Sequence, residues 1–418
     1  MSKPTIPTFL SNSNIYEVNL RQYSPEGTIR AFMEHLPRLH DMGVEILWMM
    51  PIHPIGIVKR KGTLGSYYSI KDYCDVNPEF GTRQDFKALV EAVHKNGMKI
   101  IIDWVANHTA WDNVWTITNP EFFVHAEDGN FKPPFDWDDV LQIDHSSEGE
   151  QAAMLDAMKY WITEFDIDGF RADLAHLTPL PFWVNARSVL GKLKNELIWL
   201  AETEDVNYFE AFDISYAWKW MHATEDFFKN GLNVSSLINL LAQQKASFPP
   251  GVFELFFTTN HDENSWNGTE YEKYGIYAKA LAVFSFTYPY SVPLIYSGQE
   301  LPNLKRLKFF DKDIIEWSDQ PALHSFYKTL TAFHKRMFAG GELVIFHADK
   351  NVLGYSYSKN DKTILTFLNL DKEKVSVNFI SEKCKGNFKN VFSNQEMYID
   401  DVIKLEMEPG EYLLLEKY

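Results

Sequence analysis

Eight short apolar runs alternate with helix-like stretches over the first three quarters of this 418-residue chain. IYEVNLRQY (15–23) reads as the first strand, followed by a helical stretch near Ile29–Met42. ILWMMP (46–51), KIIIDWVANH (99–108), GFRADLA (169–175), LIWLAET (197–203), FDISYAW (212–218), ELFFTTNHD (254–262) and VPLIYSGQE (292–300) read as the other seven. Helices are predicted near Arg83–Asn96, Gln151–Phe165, Tyr271–Phe286 and Ala322–Phe338. Eight β/α repeats at this length point to a closed parallel barrel. Nearly continuous apolar strands fit it, because both faces of a parallel sheet are covered. An open doubly wound sheet is the alternative, but no Gly-rich phosphate turn follows the first strand.

The domain boundaries follow from breaks in this rhythm. Residues 1–108 and 150–340 are assigned to the catalytic (β/α)8 barrel. Residues 109–149, rich in Pro, Asp, Trp and Phe, are too long for a simple connection and are assigned to an inserted short subdomain over the C-terminal rim. From residue 341 to 418 short alternating strands with turn clusters such as KNDK and EPGE predict an antiparallel β-sandwich.

Composition excludes some functions. The net charge of −17 disfavours nucleic acid and anionic membrane surfaces as partners. The two cysteines, Cys74 and Cys384, show no zinc or disulfide spacing, and two reduced thiols fit a reducing compartment. No run has the length of a membrane span, and MSKPTIPTFLSNSN has no signal-like apolar core. A soluble, cytoplasmic protein is therefore expected, although an exported chain trimmed of its signal would read the same. Aromatic residues make up 15 %, which suits a large core and equally a sugar-binding cleft.

The chemistry lies at the strand ends. IDGFRAD, ELIWLAE and LFFTTNHD end in Asp173, Glu202 and Asp262, and all such ends of a parallel barrel emerge on one face. Residues two apart on a strand share a face, so Asp103 is expected beside Asn107, Arg171 beside Asp173, and Asn260 beside Asp262. His108 and His261 stand next to them. Such polar clusters must face one another or a wet pocket, because burying them unpaired is costly. Carboxylates converging this way suit acid/base and nucleophilic cleavage of an acetal.

In family order and with suitable spacing, DWVANH, GFRADLAH, the AE of LAETED and TNHD resemble the four signature regions of the α-amylase family of glycoside hydrolases. GSYYSIKDYCDVNPEFGT and IYSGQE are further matches. The resemblance covers roughly residues 12–338, and the terminal β domain fits the family's appended domain. It implies that Asp173 is the nucleophile, Glu202 the general acid/base and Asp262 the carboxylate that holds sugar hydroxyls. Arg171 is then the cation that keeps Asp173 ionised, and His108, His261 and Tyr68 contact the sugar at the cleavage point. His176 falls where many relatives carry a sugar-contacting lysine; a subsite role and a plain surface role fit it equally. Asp103 is implied to brace the arginine. For a retaining enzyme, Asp173 and Glu202 should stand roughly 5–5.5 Å apart.

One departure concerns the structural calcium that many members hold. Asn107 matches one ligand, but Gln142 stands where a carboxylate is expected, with Asp144 two residues on, and Leu177 replaces another ligand. A hard cation needs several oxygens, so calcium is doubtful and no cofactor is required. The implied activity is retaining hydrolysis of α-1,4 linkages in starch, glycogen or maltooligosaccharides. A glucanotransferase would use the same residues. An inactive glycan-binding relative would have lost a carboxylate, and a metal-dependent enzyme would use these acids as ligands.

Overall fold

A computed structural model describes residues 6–346, 350–380, 384–400 and 402–417. The end of the predicted LVIFHA strand, Asp401 within MYIDDVIKLEM, the final Tyr418 and the first five residues of the leader reading lie outside them.

Eight strands form a closed parallel barrel: β1 (Ile15–Val18), β2 (Ile46–Met49), β3 (Lys99–Trp104), β6 (Gly169–Ala172), β7 (Ile198–Ala201), β8 (Ile214–Tyr216), β9 (Phe253–Phe256) and β10 (Ser291–Tyr296). Around the barrel the order is β1-β10-β9-β8-β7-β6-β3-β2. The remaining pair, β4 (His108–Ala110) and β5 (Val140–Gln142), is an antiparallel ribbon in the insertion after β3.

Alternation sorts the side chains. Ile15, Ile46, Ile101, Ile198, Leu200, Ile214 and Leu255 fill the barrel interior. Tyr16, Leu47, Ile100, Ile102 and Phe170 face the helices. On the inward rows the apolar residues give way, toward the C-terminal rim, to Glu17, Trp48, Asp103, Arg171 and Tyr216, all buried. Gly169 makes one close approach possible: its φ is +151°, and a Cβ there would lie 2.1 Å from the Ile198 carbonyl oxygen. The glycine lets β6 and β7 pair at the register that carries Arg171 and Glu202.

Most strands are shorter than predicted, and the differences fall at the polar ends. LRQY, read as strand, is a short helix, Leu20–Tyr23. β3 stops at Trp104, so Asn107 does not share a strand face with Asp103. β9 stops at Phe256, and within TTNHD the chain leaves the sheet, His261 and Asp262 already being helical and leading into a π-helical segment, Glu263–Asn267. The stretch near Ile29–Met42 is two helices, Ile29–Met33 and Leu36–Met42. The helix Arg83–Lys95 starts on a capping box between Thr82 and Asp85, and Ser147 caps Glu148–Phe165.

The C-terminal part holds β11 (Glu342–Phe346), β12 (Val352–Lys359), β13 (Lys362–Asn369), β14 (Val375–Ile380), β15 (Gly386–Asn390), β16 (Glu396–Ile399), β17 (Val402–Met407) and β18 (Tyr412–Lys417). They make an antiparallel sheet in the order β11-β12-β13-β18-β15-β16 and a separate β14-β17 pair. Phe346, Phe367, Phe379 and Phe388 belong to the apolar core between them. The sheet meets the barrel at the helix Ala278–Thr287, where Thr287 Oγ1 lies 2.6 Å from the Tyr355 hydroxyl. Among the described residues no helix is long and apolar enough to cross a membrane.

Candidate active site

Arg171 organises the centre of the rim. Its Nη1 donates to Asp103 Oδ1 at 2.8 Å and to Asp173 Oδ1 at 2.9 Å. Its Nη2 lies 2.8 Å from Glu202 Oε2, an ion pair without hydrogen-bond alignment. Its Nε donates to the Tyr216 hydroxyl at 3.2 Å. The guanidinium is fully buried, so these carboxyl groups from the ends of β3, β6 and β7 share one cation.

Burial pushes Asp173 up to about 7 against the pull of Arg171, and does the same to Glu202. Arg171 pulls Asp173 toward its ionised form, but desolvation is the larger influence. Hydrogen bonding separates the two acids. Asp173 receives an aligned bond from Arg171, which favours its ionised form, while Glu202 receives only the backbone N–H of Leu174, at 2.9 Å. One proton held near neutral pH thus rests better on Glu202. Asp173 Oδ2 has no hydrogen-bond partner among the described residues, which leaves an unengaged carboxylate oxygen.

A second chain of contacts runs through His261. Its Nδ1 is 2.5 Å from Glu17 Oε1, and its Nε2 is 2.7 Å from the Tyr68 hydroxyl and 3.3 Å from Asp262 Oδ2. Burial opposes its charge, but Asp262 and Glu17 together raise it well above the ordinary histidine value. Burial would also raise Asp262, yet the His261 charge and hydrogen bond and the Arg171 charge hold it low. The Tyr68 ring stacks on His261 at 5.4 Å, and its hydroxyl donates to Asp103 Oδ2 at 3.1 Å. His108 differs: burial alone lowers it to about 4, so it is neutral. It packs edge-on to Trp137 at 5.5 Å.

Tyr67, the neighbour of Tyr68, turns away and donates to Asn19 Oδ1 at 3.0 Å. His176 is exposed in the short helix Ala175–Leu177. Trp104 is core, whereas Trp266 is 54 % exposed and borders the site. Sequence reasoning passed over Glu17, Trp48 and Tyr216. Trp48 Nε1 donates to Asp103 Oδ2 at 3.2 Å. The signal for Glu17 was present: a lone carboxylate inside the apolar run IYEV, on the inward row with Ile15.

The candidate calcium residues do not fit a hard cation. Asn107 Nδ2 lies 3.3 Å from the His108 ring nitrogen, and the Asn107 carbonyl accepts the Ile143 N–H at 3.1 Å. His145 Nδ1 lies 2.8 Å from Glu150 Oε2, and Asp144 Oδ1 accepts the Ser146 N–H at 3.0 Å. Asn107 pairs with one imidazole, His108, the Glu150 carboxylate pairs with another, His145, and Asp144 turns to its own loop backbone, whereas calcium needs converging oxygens. Among the described residues no group of three or more His, Cys, Asp or Glu side chains could hold a metal.

The family profile described as alpha amylase, catalytic domain, matches residues 7–142. A noncanonic maltogenic α-amylase from Thermotoga neapolitana superposes with a TM-score of 0.90 at 32 % identity, over 98 % of this chain and 99 % of that one. The chain belongs to the α-amylase family of glycoside hydrolases. An α-amylase from Lactobacillus plantarum is similar, with 29 % identity, a TM-score of 0.89 and coverage of 99 % and 100 %. The α-amylase 2 of Dictyoglomus thermophilum is 24 % identical over 413 residues, and this chain spans 69 % of its length. The protein is accordingly an enzyme, a glycoside hydrolase of the α-amylase type.

Proposed function

We propose that this α-amylase-family enzyme hydrolyses α-1,4 linkages of maltooligosaccharides and related glucans with retention of configuration. The observation that carries the reading is the single guanidinium of Arg171, which touches Asp103, Asp173 and Glu202 at once. It supports two reactive carboxyl groups at close range, one ionised and one protonated, as double displacement requires.

In the first step Asp173 attacks the anomeric carbon. The glycosidic C–O bond breaks, and the leaving oxygen takes the Glu202 proton. Asp262, held ionised by His261, accepts hydrogen bonds from sugar hydroxyls and balances charge on the oxocarbenium-like transition state. Tyr68 offers its ring face and neutral His108 an N–H donor, while charged His261, its two ring nitrogens engaged by Glu17 and by Tyr68 and Asp262, holds those groups against the sugar. In the second step Glu202, now a carboxylate, takes a proton from water as the water attacks the same carbon. Asp173 leaves with the bonding electron pair, and the product is again the α-anomer. His176, exposed in the short helix that follows Asp173 in the chain, is assigned a contact on the leaving-group side.

The test is maltoheptaose digestion followed by proton NMR. New reducing ends should emerge as the α-anomer before mutarotation. Emergence as the β-anomer would overturn the mechanism.

A further inference from the structure

Residues 56–65, the connection that follows β2, are tied down at both ends and at the base. On one side the Ile57 N–H donates to Asp112 Oδ1 at 3.0 Å, and Lys61 Nζ lies 2.8 Å from Asp138 Oδ1 and from Asp139 Oδ1. Lys59 Nζ sits 3.2 Å from the Trp111 ring centroid. All of these partners belong to the insertion after β3. On the other side Asp311 Oδ1 accepts the Thr63 N–H at 2.9 Å and the Thr63 hydroxyl at 2.6 Å, and the Leu64 N–H donates to the Phe310 carbonyl at 3.0 Å. Phe310 and Asp311 lie in the connection after β10. Gly62 has φ +62° and presses on Phe310, so that a Cβ would lie 2.5 Å from the Phe310 Cβ. At the base, buried Arg21 donates to the carbonyls of Gly65 at 2.9 Å and of Leu64 and Phe309 at 3.3 Å.

The barrel order gives this bridge a direction. It reaches from the loop after β3 to the loop after β10, across the rim sector β3-β2-β1-β10. Glu202 ends β7, in the opposite sector β6-β7-β8-β9. A proton donor stands beside the leaving group, so the leaving part of the chain exits over β6–β9. The part that becomes attached to Asp173 must point over the bridged half. There Phe309 lies 6.3 Å from the Tyr68 ring and 6.4 Å from His261, with Trp266 5.4 Å beyond it. These rings connect the bridge to the cleavage point.

We propose that residues 56–65, anchored through Lys61 and Thr63, close the glycone end of the cleft and confine the enzyme to the non-reducing ends of α-glucan chains. This rests on the hydrolase reading above and deepens it: the substrate class is chain ends, and each cut releases a short product of set length. A chain continuing past the glycone subsites would run into the bridge. The apolar side chains of Ile57 and Val58, 66 % and 48 % exposed, present a surface to the terminal sugar.

The experiment compares maltoheptaose with maltoheptaose capped at O4 and O6 of its non-reducing sugar, products being separated by length. The wild-type enzyme should release one short product length from the free substrate from the earliest times, and should cut the capped substrate at least tenfold more slowly. The variant Lys61→Ala/Asp311→Ala removes an exposed anchor on each side and keeps every bridge residue's backbone. It should gain cleavage of the capped substrate and yield mixed product lengths. Equal wild-type rates on both substrates would overturn the closed glycone end while leaving the hydrolase reading intact. An unchanged preference in the folded variant would overturn the role of the bridge. Failure of the wild-type enzyme to cut either substrate would overturn the hydrolase reading, and this inference with it.

Discussion

Glu17 Oε1 stands 2.5 Å from His261 Nδ1, inside the barrel and out of reach of bulk water. The contact fixes the ring so that Nε2 faces Tyr68 and Asp262, and it supplies negative charge that keeps the imidazole protonated. Glu17 is thus a positioning residue that acts through His261. Glu17→Gln keeps an acceptor of the same shape and removes the charge. It should lower kcat/KM about tenfold or more, about 1.4 kcal/mol of transition-state stabilisation. The alkaline limb, set by Glu202 in the wild type, should also move to lower pH in the variant, because His261 then loses its proton earlier and adds to that limb. A loss of Tm with an unmoved pH profile would assign Glu17 to structure alone.

Asp173→Asn and Glu202→Gln should each reduce turnover on maltooligosaccharides about a thousandfold or more while the fold persists. The two differ in substrate dependence. An aryl glycoside carries a leaving group that needs little protonation, so Glu202→Gln should be much milder on it, whereas Asp173→Asn should be equally severe on both. Equal losses for Glu202→Gln on both substrates would remove its role as proton donor.

The pH dependence follows from the two acids pushed up to about 7 by burial. As pH falls through that value Asp173 gains a proton and loses its nucleophilic form. As pH rises through it Glu202 loses the proton it must donate. kcat/KM should therefore trace a narrow bell near neutrality, with apparent values that belong to the pair. Because the groups are buried, the bell should shift little between low and high salt. A plateau extending down to pH 5 would contradict this assignment.

Chelation separates carboxylate catalysis from metal chemistry. Asn107 is engaged with the His108 ring nitrogen, and the Glu150 carboxylate with His145. Prolonged treatment with EDTA should leave turnover and Tm unchanged. A fall in either that calcium restores would show that these donors rearrange around a cation.

Much of this molecule was legible because its strands are buried on both faces. Apolar runs such as KIIID and LIWLA announce themselves, and their order implies a barrel. The strand ends were less legible: polar residues there continue the alternation in text but turn away in space, as LRQY and TTNHD do. Arg171, Asp173 and Glu202 could be placed on one rim from strand positions alone. Their proton affinities could not, because desolvation depends on everything packed around them. Glu17 is 244 residues from His261, and no local pattern reports such a contact. The bridge after β2 was silent for the same reason: Thr63 is 248 residues from its partner Asp311.

A last test concerns stability away from the site. Glu254 lies on β9, buried, with Gln244 Nε2 donating to its Oε1 at 3.0 Å. Burial first, then the nearby charge of Glu204, pushes it up to about 8 despite Lys219. Unfolded glutamate titrates near about 4.3. Between these values the folded protein keeps a proton that the unfolded chain releases, so stability falls as pH rises and the loss is complete above about 8. Glu254→Gln removes the charge and preserves the contact with Gln244, since an amide can also accept. Its Tm should match the wild type near pH 5 and exceed it by about 2 °C or more at pH 9. Thermal scans at the two pH values check this. A Tm difference of the same size at both would mean that packing, not ionisation, governs the position.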